Sequence, residues 1–363
     1  MPTIGARNGS TPLAIPGGMP SRTGSLPVVA VSILVCGCAG STPTEPTATG
    51  GGSLSSYRGE AVSALDGRPI SGVAVKLGTR AALSDDLGRF ELNDLQDGAA
   101  IMTLSGSSIV ERRRSVAIPA QAAKETLIPS TFDLEAFDEM FRGTGQLQRW
   151  TSAPGLVILG SVMLYHGIGS ENYQATSEQL GDDEVALMVQ HLTEGLALLT
   201  ANRFTSFSSV VVERPSSGQQ VNTLRTGVII IGRYRGVQSL ASTIGLGRWS
   251  TTGNTPEVTG GAVYLEQAYD RSSENRRLLR IHELGHALGY LHVTKRTSIM
   301  NPAIGPAPTE FDRHAAMIAF ERMPGNLSPD SDVADAPRSP GGFFGVRGIA
   351  GPAVWAPPVI CAP

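Results

Sequence analysis

An eleven-residue run, HELGHALGYLH from His282 to His292, constrains this chain more than any other segment. His282 and His286 are one helical turn apart, so on a helix they share a face. Two imidazoles placed this way reach one ion at about 2.0–2.1 Å, the distance zinc takes from a histidine nitrogen. Glu283 follows the first histidine and is turned by about 100° around the helix axis. Its carboxylate can therefore serve a water at the ion without binding the ion itself. Gly289 can take a positive φ, which ends the helix and turns the chain back. That turn lets His292 supply a third nitrogen. Three protein ligands leave the fourth position of a tetrahedral ion to water, which is a catalytic rather than a structural arrangement. One catalytic Zn2+ is expected. The five-position pattern arises by chance in a chain of this length about once in 10⁵. The bland alternative is two exposed helical histidines followed by a C-capping glycine.

The run resembles the active-site consensus of the metzincin zinc endopeptidases. That family also carries a methionine turn shortly after the third histidine. Here Ser298-Ile299-Met300-Asn301 follows His292, and Met300 matches the family's methionine. The resemblance implies that Met300 packs beneath the metal and does not ligate it. Astacin-like and serralysin-like members have a tyrosine two residues after the methionine; this chain has Pro302, so no tyrosine ligand is expected. The pattern is most similar to the matrixin-like branch. Residues 301–308 then fall where the family forms the wall of its main specificity pocket. No histidine lies between His191 and His282, so the second, structural zinc of matrixins is not expected. The cysteine-switch motif of secreted matrixin propeptides is also missing.

Periodicity around the run is consistent with that resemblance. Val185, Met188, Val189, Leu192, Leu196 and Leu199 lie on one face of a long amphipathic helix over about 182–201. Residues 226–232 and 260–266 read as buried strands, and Leu240 to Trp249 takes the place of the matrixin edge strand. Thr309 and Asp312 form a capping-box pattern, opening a helix with Phe311, Ala315, Ile318 and Ala319 on its apolar stripe. The expected fold is α+β. It comprises a metzincin-like zincin domain over 131–326, with a twisted, mostly parallel sheet, long helices and the active-site helix, preceded by a small all-β sandwich. His166, His191 and His314 read as surface or satisfied core residues, not ligands.

The N-terminus reads as an address. Leu26 to Val35 is an apolar run of signal length, too short to span a membrane as a mature helix. Gly37-Cys38 after it resembles a bacterial lipobox, with Cys38 as the lipidated residue; translation from Met19 gives a compact signal. The alternative is an ordinary cleaved signal. Residues 1–38 are thus a signal and lipobox, and 39–56 a Ser/Thr/Pro/Gly-rich flexible linker. The expected location is the cell envelope, outer membrane or cell surface, with free secretion as the alternative. If Cys38 is lipidated and Cys36 removed, only Cys361 remains among the chain's three cysteines, and no internal disulfide can form. Cys361 lies in a Pro/Gly-rich tail, 327–363, that has no periodicity and is expected to be disordered. A thiolate from that tail could take the open zinc position as a latency device.

Residues 57–118 alternate polar and apolar in short segments. One is Gly72 to Leu77, and another is the turn Ser84 to Arg89 feeding a strand through Leu92. This is the pattern of a small antiparallel β-sandwich, similar to carboxypeptidase-regulatory-like modules, with 119–130 as a linker. Its role is that of a spacer or a carbohydrate- or protein-binding module. A net charge of −3 without a basic block gives no footprint for nucleic acid. The reading that combines these features is an exported, lipid-anchored, monomeric zinc metalloendopeptidase. Glu283 is its general base, and a protein or peptide is its substrate, bound along the edge strand. Two alternatives stand beside it: a non-catalytic surface binding protein braced by a structural zinc, and a peptidase acting on peptidoglycan cross-links.

Overall fold

The computed structural model describes residues 54–240, 242–253, 255–332 and 352–361. The signal, Cys36 and Cys38, and most of the linker expected over 39–56 lie outside these residues. Among the described residues, no helix is long and apolar enough to cross a membrane.

The N-terminal part holds β1 (Leu54–Ser63), β2 (Ala74–Leu77), β3 (Arg80–Leu83), β4 (Arg89–Gln96), β5 (Gly98–Ser105), β6 (Arg112–Ile118) and β7 (Ala123–Leu127). One sheet has the order β4–β1–β7 and the other contains β6–β5–β2–β3. Alternation decides which side chains face inward: Val75 and Leu77 of β2 and Phe90 and Leu92 of β4 are buried, while Lys76 and Glu91 between them are exposed. The turn before β4 is built on Asp85, whose Oδ1 accepts from the backbone N–H of Leu87 and Arg89 at 2.9 and 2.8 Å. The segment expected as a linker over 119–130 contains β7, which pairs in parallel with β1. Leu127 is fully buried in the sandwich core, and this apolar burial holds the segment in the sheet.

The larger part contains α1 (Leu134–Phe141), β8 (Gly155–Leu164), β9 (Asn172–Gln179), α2 (Asp182–Leu199), β10 (Val210–Glu213), β11 (Gln220–Asn222) and β12 (Val228–Arg235). It continues with β13 (Gly245–Thr252), β14 (Val258–Glu266), α3 (Gln267–Ser272), α4 (Arg276–Ala287) and α5 (Glu310–Glu321), then the short strands β15 (Ser331–Asp332), β16 (Ala353–Trp355) and β17 (Val359–Cys361). The protein is a mixed α+β structure. Its large sheet runs β11–β9–β8–β12–β14–β13–β16, with β10 also on β8 and β17 on β13. Only β8, β10, β12 and β14 are mutually parallel; β9, β11, β13, β16 and β17 pair antiparallel, so the sheet is parallel at its centre and antiparallel at its flanks. The central strands are largely apolar because both faces are covered. Leu156, Ile158, Ile229 and Ile231 face the core shared with α2 and α4, while Val157, Leu159, Ile230 and Tyr264 face a second cluster on the opposite side.

Sandwich and sheet belong to one compact unit, Gly51–Pro363. β15 pairs in parallel with β6 and extends its sheet. Asp330, fully buried, accepts from Arg112 of β6 at 2.8 Å and from Arg322, just after α5, at 2.8 and 2.9 Å. The tail expected to be disordered over 327–363 is therefore ordered at 327–332 by this ion cluster, and at 352–361 by pairing to β13.

Candidate metal centre

α4 carries His282, Glu283 and His286, all fully buried. The helix ends in a Schellman motif: the N–H of Tyr290 bonds the carbonyl of Gly285 at 3.0 Å, and that of Gly289 bonds His286 at 3.0 Å. Gly289 has φ +106°, and a Cβ there would lie 2.6 Å from the carbonyl oxygen of Gln148. Both the turn and the packing thus require glycine. The chain reverses and brings half-buried His292 over the first two histidines, with ring centroids 5.4 and 4.8 Å from theirs.

Each helical histidine is oriented by a backbone carbonyl. His282 Nδ1 lies 2.6 Å from the oxygen of Ile299, and His286 Nδ1 lies 2.8 Å from that of Tyr290. An Nδ1–H donating to each carbonyl leaves both Nε2 lone pairs pointing inward, the arrangement that metal-binding histidines take. The two Nε2 atoms are 3.0 Å apart. Tetrahedral ligands at about 2.0–2.1 Å from one ion stand roughly 3.3 Å from each other. Burial also keeps the rings neutral: it is the main cause pushing His282 down to about 3, His292 to about 4, and His286 well below the usual range.

The fourth position, expected to be open to water, holds the thiol of Cys361. Its Sγ lies 3.1 Å from His282 Nε2, 3.4 Å from His286 Nε2 and 3.5 Å from His292 Nε2. Zinc takes sulfur at about 2.3 Å and nitrogen at about 2.0–2.1 Å, which places such donors roughly 3.5 Å apart. The donor set fits a tetrahedral ion, and this is the one group of three or more metal-binding side chains among the described residues. The physical reason for the difference is strand addition. β17 pairs antiparallel with β13, with Cys361 opposite Gly245 and Val359 opposite Gly247. The two-residue alternation then turns Cys361 inward and leaves Ile360 exposed.

β13 lies unusually close to α4 because of Gly245 and Gly247. A Cβ on Gly247 would stand 2.5 Å from both the Glu283 carbonyl oxygen and the His286 Cβ. Glu283 itself is buried with neither carboxyl oxygen held by a well-formed hydrogen bond. Burial pushes its pKa up to about 8, with the neighbouring Cys361 thiol pulling the other way.

Met300 is fully buried beneath α4, and a Cβ on Gly285 would lie 2.6 Å from its sulfur. The turn holding it is fixed by Asp312. One carboxyl oxygen accepts from Ser298 Oγ at 2.5 Å, and the other from the Ile299 N–H at 3.2 Å and the Thr309 N–H at 2.7 Å. Asp312 therefore caps α5 and, through Ser298 Oγ, which accepts from the Met300 N–H at 2.9 Å, also fixes the Ile299–Met300 peptide whose oxygen orients His282. The capping pattern was legible in the sequence, but this second role had no local signal. A further ion cluster also had none: Asp270 receives both Nε (2.7 Å) and Nη2 (2.8 Å) of Arg280 from α4 and Nε of Arg233 (2.7 Å) from β12. His191 lies 3.2 Å from Arg280 in the same cluster, His166 is exposed, and His314 lies beside Glu310 on α5. None of the three joins the centre.

No protein-family model matches the chain, and no curated protein does. Among solved structures, the chain has a slight likeness to a type II cohesin–X-dockerin complex from Acetivibrio cellulolyticus carrying an N-terminal interface mutation. The likeness has 17% identity and a TM-score of 0.19, over 22% of this chain and 59% of that one. A C-terminal interface mutant of the same complex gives 18% identity and a TM-score of 0.15, over 20% and 50%. The chain thus spans less than two thirds of the structures it matches.

Proposed function

We propose that this protein is a zinc-dependent metalloendopeptidase with a metzincin-like, matrixin-type catalytic domain, exported and anchored through Cys38. His282, His286 and His292 hold the ion. When bound, zinc supplies Lewis acidity toward a peptide carbonyl and lowers the pKa of water toward about 7. Glu283 takes the proton from the attacking water and passes it to the leaving amine. β13 aligns an extended substrate by main-chain pairing, and residues 301–308 shape its pocket.

The observation that carries this reading is Glu283. A carboxyl group that is fully buried and lacks a well-formed hydrogen bond costs about 1–3 kcal/mol of stability. A purely structural zinc site has no use for it, whereas a base beside the ligands does. The order strand, long helix, strands, active-site helix and methionine turn adds support. One observation favours the rival reading of a binding protein with a structural zinc: the centre has four protein donors and is closed. The test is cleavage of a diverse peptide library by the metal-loaded protein, with and without a chelator. Chelator-sensitive cleavage supports the peptidase, and no cleavage once Cys361 is replaced by alanine supports the binding protein.

A further inference from the structure

We propose that the C-terminal strand pair, β16 and β17, is a tethered occupant of the substrate edge: it places the Cys361 thiolate on the metal and holds the enzyme inactive until the strand leaves. This rests on the peptidase reading of the same site.

Three observations carry it. The first is position. β13 offers its free edge on the side away from β14, and the tail takes that edge antiparallel at both ends, with Cys361 to Val359 opposite Gly245 to Gly247 and Trp355 to Ala353 opposite Ser250 to Thr252. An extended peptide aligned by β13 needs the same main-chain groups. The second is the side chain. Cys361 is the residue of the strand that reaches the three imidazole nitrogens, so one segment blocks both the edge and the fourth ligand position.

The third is that the tail is joined to this edge by a ladder broken midway, with buried polar atoms left unpaired beside it. Its two strands are three residues each and are separated by Ala356, Pro357 and Pro358. Ala356 N–H still bonds the Trp249 carbonyl of β13 at 2.9 Å, but the two prolines after it have no N–H to donate, so the ladder is interrupted there. Trp355 stacks on the Arg248 guanidinium at 4.2 Å, yet Trp355 Nε1, Arg248 Nε and Ser250 Oγ are all buried without partners. Buried polar atoms left unpaired oppose docking. A permanent structural ligand would be expected on a well-bonded interior strand. This one sits on the outermost strand and covers Glu283, whose carboxyl also lacks a well-formed hydrogen bond.

The test compares the full chain, Cys361→Ala and a chain ending at residue 351, each loaded with cobalt for spectroscopy and with zinc for cleavage of a peptide library. The proposal expects a thiolate-to-cobalt charge-transfer band in the full chain and its loss in both variants. It also expects cleavage by both variants at least about tenfold faster than by the full chain, the effect of removing a tethered competitor worth about 1.4 kcal/mol or more. Absence of the band in the full chain, or equal cleavage by all three proteins, overturns the proposal and leaves the peptidase reading standing. A band in the full chain with no cleavage by any of the three, each holding one metal, overturns both, because the thiolate is then part of a structural centre.

Discussion

Gly289 and Gly167 form a matched pair that separates backbone strain from packing at the turn delivering His292. Both have φ +106°. A Cβ on Gly167 meets nothing within 4 Å, whereas one on Gly289 would stand 2.6 Å from the Gln148 carbonyl oxygen, well inside contact distance. Alanine at either position carries the cost of a left-handed backbone, about 1–2 kcal/mol. This is offset by about 0.4–1 kcal/mol from the stiffer unfolded chain. Gly167→Ala should therefore cost roughly 0–1.5 kcal/mol. Gly289→Ala adds overpacking against a backbone atom, about 1–3 kcal/mol, for a total of roughly 1–4.5 kcal/mol. At about 2–4 °C per kcal/mol for a domain of this size, the two variants should differ in Tm by several degrees, measured in chelator so that metal binding does not contribute. Gly289→Ala should also lower zinc affinity, because the displaced turn moves both His292 and the Tyr290 carbonyl that orients His286. Equal melting of the two variants, or unchanged zinc affinity in Gly289→Ala, would refute the argument that this turn builds the site.

Further outcomes follow from the same geometry. Metal analysis of dialysed protein should find one zinc per chain, lost on His286→Ala; two tightly held ions, or full retention in the variant, would contradict the ligand set. Asp330→Asn leaves Arg322 without its buried carboxylate and Arg112 with Asp332 alone, and should destabilise the protein by about 3–5 kcal/mol in urea titrations near neutral pH. Burial raises the Asp330 pKa, but Arg322 and Arg112 outweigh it and hold the group below its usual 3.8. The stabilisation is therefore present above about 3.8 and is lost as pH falls through the folded value. The gap between wild type and variant should narrow on acidification, and a gap that widens would contradict the pairing. Mass spectrometry of the mature N-terminus should find lipid on Cys38, and Cys38→Ser should leave the membrane fraction; an unmodified terminus cut downstream of Cys38 would remove the anchor.

What could be read from the sequence depended on how local its cause was. Helix α2 was legible because Val185, Met188, Leu192, Leu196 and Leu199 repeat at helical spacing, and each is buried. Strands β12 and β14 were legible from their β-branched or apolar runs. The three histidines were legible because two lie one turn apart and the third follows a helix-ending glycine. The sequence offered Cys361 as an alternative occupant of the open position, but no local signal placed it there, since it lies 69 residues beyond His292. Its strand has only three residues, set among prolines, and pairing to β13 is a tertiary event with no periodic signature. β7 was missed for a similar reason: five residues including Lys124 and Glu125 read as polar linker until β1 supplies their hydrogen bonds. The Asp270 and Asp330 clusters join residues far apart in the chain, so only the folded structure reveals them.

The central claim, that these three histidines and Glu283 form a hydrolytic centre, is tested most directly in a background freed of the tail thiol. Zinc-loaded Cys361→Ala protein and the same protein also carrying Glu283→Ala should be compared on one peptide library. The expected result is one zinc in both, cleavage by the first, and a rate lower by roughly 10²–10⁴-fold in the second, the usual effect of removing a general base. Equal cleavage by both proteins, or none by either with the zinc in place, would contradict it.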